Sequence, residues 1–280
     1  MKKTEQNLKN TLKSPKSETP KATEKKPNKT LKTEQRFKLS LRFVLEILAY
    51  PVWVYIATII VEYTIIFGLY FLIGRAKLTT PAWTTVANTL VYSIALIIII
   101  YLPQCLKKSK YKKPSRNLLG LSGLPTWADM LLAPACFLAF LILAGILESI
   151  FSMFPFFDIS EAQDVGYNLL SNGTERLVAF FALVVVAPVA EEVIFRGWLY
   201  GNLRKKIPGK KLSLILSILI VSVLFGFMHG QWNVGVSVFA MSIILCLMRE
   251  TTGTIYSGIL LHMLKNAVAF ALLYIFNFSF

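Results

Sequence analysis

Histidine is nearly missing from this sequence. Two occur in 280 residues, and cysteine supplies only three. Cys105, Cys136 and Cys246 are scattered and form no CxxC pair, so buried free thiols are expected rather than a zinc knuckle or a disulfide framework. The HExxH signature of soluble metalloproteases is absent too, so any metal site has to be assembled from separate segments. Charged residues make up 16% of the chain, below the ~25% usual for soluble domains. They gather in the first forty-two positions and in short loops. Period-two alternation is lacking, which leaves no strand pattern to compete with helices. No internal repeat is visible, which counts against an inverted-repeat transporter. No short apolar stretch with a small-residue cleavage site precedes the first long run near Phe43, so no cleavable signal peptide is expected.

Apolar residues fill the space that charge leaves. They account for 55% of the chain, against ~45–50% in soluble domains. The formal net charge is +15. In a soluble protein such basicity raises nucleic acid as a partner. Here the basic residues adjoin long apolar runs, so they read as determinants of topology and of contact with an anionic lipid bilayer, and no nucleic acid is expected. Residues 1–36 are rich in Lys, Thr, Glu and Pro with almost no large apolar side chains, so a disordered, basic cytoplasmic tail is expected. Beyond it lie seven runs near the ~20 residues that a hydrocarbon core requires. They cover about Phe43–Ile73, Val86–Leu102, Asp129–Phe151, Leu177–Tyr200, Leu212–Met228, Val234–Met248 and Thr254–Phe276. The first is long enough to raise a re-entrant or split pair. The fold class expected is all-α: a polytopic bundle of about seven transmembrane helices. Residues 37–174 hold about three spans, and residues 175–280 hold the rest.

The loops alternate in charge. The tail, the second loop (Lys107, Lys108, Lys110, Lys112, Lys113, Arg116), the fourth (Arg204, Lys205, Lys206, Lys210, Lys211) and the sixth (Arg249) are basic. The first has only Arg75 and Lys77, the third is acidic with Asp158, Glu161 and Asp164, and the fifth has no Lys or Arg. This pattern places the N-terminus in the cytoplasm of a multi-pass cell-membrane protein.

An ionisable side chain at the centre of a bilayer costs at least ~2.5–3.5 kcal/mol, so those that persist there usually have a task. The fourth run carries Glu191, Glu192 and Arg196 just after Pro188, which is expected to kink the helix. Glu192 and Arg196 stand one helical turn apart and can pair, which leaves Glu191 without a local partner. His229 closes the fifth run. His262 lies in the seventh, with Asn266 one turn on and Lys265 directed elsewhere. A lone membrane histidine is often a helix–helix hydrogen-bonding group, and a Glu–Arg pair is often a clamp. A set spread over three spans argues for convergence instead. Converging Glu and His groups in a dry cavity can activate water, bind a metal or stabilise an oxyanion. Two His and one carboxylate, drawn from Glu191, His229 and His262, make a sound set for Zn²⁺ or another divalent metal, and an equally sound metal-free set. Counted from the fourth loop, Glu191 falls near mid-depth and His229 near the far end, a mismatch on the order of 9 Å.

At these residues the chain resembles the CAAX protease and bacteriocin-processing (Abi) family. That family carries EExxxR, FxxxH and HxxxN on successive helices, here Glu191–Arg196, Phe225–His229 and His262–Asn266. The resemblance covers about residues 175–280. It implies an intramembrane endopeptidase acting on membrane-associated peptides or proteins, metal-dependent or metal-free. By the same resemblance Glu191 and His229 activate water, His262 and Asn266 stabilise the oxyanion, and Glu192 and Arg196 hold the geometry. Catalytically silent relatives keep a non-catalytic scaffold or a bacteriocin self-immunity protein open as the alternative.

Overall fold

The computed structural model describes residues 29–106, 115–158, 167, 170 and 172–276, with side chains from Ser40 onward. Residues 1–28 of the expected tail, the lysines at 107–113, and Glu161 and Asp164 therefore lie outside the described residues. Of the rest of that tail, Lys29 already belongs to a helix. Contacts divide the chain into Met1–Phe43 and Val44–Phe280. The first unit contributes, among described residues, only the opening turns of that helix. Everything below concerns the second unit.

Seven described helices are long and apolar enough to cross a membrane. We number them α1 (Lys29–Ile73), α2 (Pro81–Leu106), α3 (Trp127–Phe151), α4 (Gly173–Lys206), α5 (Lys210–Phe227), α6 (Trp232–Thr252) and α7 (Tyr256–Ile275). No strand occurs among the described residues. The first apolar run is one continuous helix rather than a split pair, with Pro51 inside it. The three cysteines are free.

Local sequence sets the helix ends. Thr126 opens α3 with a capping box, its hydroxyl accepting from the Asp129 amide while the Asp129 carboxylate accepts from the Thr126 amide. Asn172 opens α4 in the same spirit, accepting from the Glu175 amide at 2.9 Å. Gly253 ends α6 with φ of 74°, a left-handed cap that costs glycine little.

α4 is the organising element. It packs against α2, α5 and α7 and is among the most buried helices, whereas α1 and α3 present most of their surface outward. Twice it widens into π-helical turns, at Phe181–Val186 and Val193–Leu199, on either side of the regular segment Ala187–Glu192. Pro188 opens that segment and has no N–H to give to the preceding turn. Widening of the helix thus stands where a kink was expected, and such turns recur at functional sites.

α5 and α6 form a hairpin that crosses at glycines. A Cβ on Gly226 would stand 2.7 Å from the Gly235 carbonyl oxygen, so only glycine permits this approach. α1 reaches the bundle mainly through side chains. The Trp53 indole donates to the Ile99 carbonyl at 3.2 Å, and Tyr50 and Tyr55 lean on Trp198 and Phe227. The space this leaves between α1 and the other helices is the cavity described next.

Candidate active site

The cavity has a volume of about 1150 Å³. Its walls come from α1, α2, α4 and the α5–α6 hairpin. Most of the lining is apolar, and Glu191, His229 and Tyr92 bring polar groups to it.

Glu191 is held from two sides. The Tyr92 hydroxyl of α2 donates to one carboxylate oxygen at 2.8 Å. His262 Nε2 of α7 stands 3.5 Å from the other. The Glu191 side chain remains 14% exposed, which is what a group that meets substrate needs. Its neighbour Glu192 is fully buried. Arg196 Nη1 donates to Glu192 Oε1 at 2.8 Å, and His262 Nδ1 lies 3.1 Å from the same oxygen. The Arg196 guanidinium sits 4.4 Å over the Phe225 ring, a cation–π contact that covers the pair. Adjacent glutamates thus point to opposite fates. One lines the cavity, and the other is sealed behind it with an arginine.

His229 follows the end of α5. A tight turn bonds its amide to the Gly226 carbonyl at 3.2 Å. Its ring folds back so that Nδ1 meets the Phe225 carbonyl at 2.8 Å. A carbonyl only accepts, so Nδ1 carries the hydrogen, and the neutral ring turns a bare Nε2 lone pair outward. The folding-back turns the ring along α5 toward Phe225, in the direction that narrows the expected depth mismatch. Burial pushes the His229 imidazole below its ordinary pKa, against the opposing pull of the Glu191 carboxylate.

His262 and Asn266 come from α7. Asn266 donates to the Leu183 carbonyl at 2.9 Å, which ties α7 to the first widened turn of α4. His262 is 3% exposed and spans the two glutamates. Lys265 is not among the described residues that line the cavity.

Of the expected metal set Glu191, His229 and His262, His229 keeps Nε2 bare with Nδ1 on a backbone carbonyl, as metal-ligating histidines do, whereas both ring nitrogens of His262 face glutamates. Among the described residues no group of three or more His, Cys, Asp or Glu side chains gathers closely enough to hold a metal ion.

Of the polar residues that the first half of the chain brings to the cavity, where the sequence shows no motif, two stand out. Tyr92 is one, and nothing sets it apart from other tyrosines in apolar runs. Glu62 is the other, and it carried a readable signal: a carboxylate in the middle of the first run.

Comparison with curated proteins and with solved structures gives no match. A family model, type II CAAX prenyl endopeptidase Rce1-like, matches residues 173–268, which contain all three motifs. The widened helix, the paired glutamates and the two histidines all fall inside that match, and from Gly173 to Val268 the chain is similar to the Rce1-like CAAX endopeptidases.

Proposed function

We propose that this protein is a CAAX-type intramembrane endopeptidase in which Glu191 and His229 activate water. The family match supports the reaction class. The observation that carries the assignment is that Glu191, alone of the paired glutamates, shares the cavity with His229. The substrate is a membrane-associated peptide or protein, and the family's description makes prenylated peptides one class to assay. The alternation of basic and poor loops supports a cell-membrane location with the N-terminus in the cytoplasm.

Water bound between Glu191 and the His229 Nε2 lone pair attacks the scissile carbonyl carbon. Glu191 takes the proton, and the carbonyl π electrons move onto oxygen. When the C–N bond breaks, the protonated Glu191 returns that proton to the leaving amine. Tyr92 and His262 aim the Glu191 carboxylate. Glu192 and Arg196 fix His262 in turn. Asn266 joins α7 to α4 so that His262 meets the glutamates. No step needs a metal.

The test uses purified protein in nanodiscs with bilayer-anchored peptides, read by mass spectrometry. Cleavage should proceed at the same rate with and without a divalent chelator and should vanish in His229→Gln, whose folding is checked by thermal unfolding. Full activity in His229→Gln contradicts the water-activating role. Chelator-sensitive activity restored by Zn²⁺ contradicts the metal-free step.

A further inference from the structure

Glu62 is a carboxylate on α1, mid-way along a membrane-spanning run, and it faces the same cavity as Glu191. Tyr55, Thr58, Ile59, Glu62 and Ile66 form one inward stripe of α1, at the three- and four-residue spacing of a helix face. Across from it α2 presents Asn88 and Tyr92. The Tyr92 hydroxyl donates to Glu191 and shares the cavity with Glu62. Glu62 itself makes no hydrogen bond or ion pair among the described residues. Among the described residues no Lys or Arg lines the cavity. A chamber with apolar walls and two carboxylates favours a cation. Carboxylates are retained in a membrane where they face a partner or a pathway.

We infer that Glu62 is a specificity residue that receives a cationic nitrogen of the substrate while the scissile bond lies at Glu191. The inference rests on the proposed peptidase reading for the peptide nature of the ligand. The cation is the ammonium or guanidinium of a Lys or Arg side chain, or a free α-amine. Either group pairs with a carboxylate more strongly in an apolar chamber than in water, because the local dielectric is low. The apolar walls accept the aliphatic stem that carries such a group.

The experiment measures binding apart from cleavage. Fluorescent apolar peptides carry a single Lys walked along their length, and norleucine counterparts replace it. Each is made with a free and with an acetylated N-terminus. Affinities are measured for the Glu191→Gln protein in nanodiscs, alone and combined with Glu62→Gln or Glu62→Asp. At one Lys position, or with the free amine, the charged peptide should bind about tenfold tighter than its neutral counterpart. That preference should collapse in Glu62→Gln and survive in Glu62→Asp. The acetylated set separates side chain from terminus. A preference that is absent, that persists in Glu62→Gln, or that disappears in Glu62→Asp overturns the inference, as does a failure of every peptide to bind. Wild-type protein tested on the same peptides reports cleavage separately. Charge-selective binding without cleavage would count against the peptidase reading and leave the role of Glu62 standing.

Discussion

Glu191 and Glu192 are neighbours in sequence with opposite surroundings. Glu192 shares one oxygen between Arg196 and His262 and is sealed from solvent. Removing one partner of a buried ion pair strands the other, at a cost of about 3–5 kcal/mol. Arg196→Met should therefore lower the unfolding temperature in detergent sharply, with activity lost alongside. Glu191→Gln keeps its shape and its contact with Tyr92, so it should unfold near the wild-type temperature. His229 gives a pH signature. Its pKa is lowered by burial, and the proposed water-binding form is the neutral one. Activity should be present above that lowered pKa and be lost as the pH falls through it. The acid limb of kcat/KM should thus lie below the ordinary histidine value of about 6.5. A limb above that value would contradict the assignment.

At the scale of elements, the site depends on two irregularities. α4 widens on either side of Ala187–Glu192, and the α5–α6 hairpin crosses on Gly226 and Gly235. The hairpin carries His229 at its bend, so a change at the crossing moves the imidazole without touching it. Gly226→Ala forces a methyl group against a backbone carbonyl. It should cost about 1–3 kcal/mol and depress turnover more than peptide binding, as read from kcat and KM separately. Little of this could be seen in the sequence. The runs and their order were legible because apolar length is a strong signal in lipid. The motif residues were legible because charged and imidazole groups stand out there. The folding-back of His229 was not, because it arises from a turn and a ring-to-carbonyl bond after the helix end rather than from spacing.

For the whole molecule, the division of labour follows the chain. The C-terminal helices supply Glu191, His229 and His262, and the first two spans close the chamber with Glu62, Asn88 and Tyr92. The family match covers residues 173–268 and stops short of those spans. Tyr92 escaped notice in the sequence because its role exists only through a contact 99 residues away. Topology can be checked directly. Reporter fusions in the Lys206–Lys210 turn should read as cytoplasmic, and fusions at Gly230 as external, in keeping with the charge alternation. The central claim is that Glu191 takes the proton from water. The direct measurement is the single-turnover cleavage rate of wild type against Glu191→Gln, on one peptide, in nanodiscs, with matched unfolding temperatures. The expected result is a loss of at least about 100-fold. Equal rates in the two proteins would contradict it.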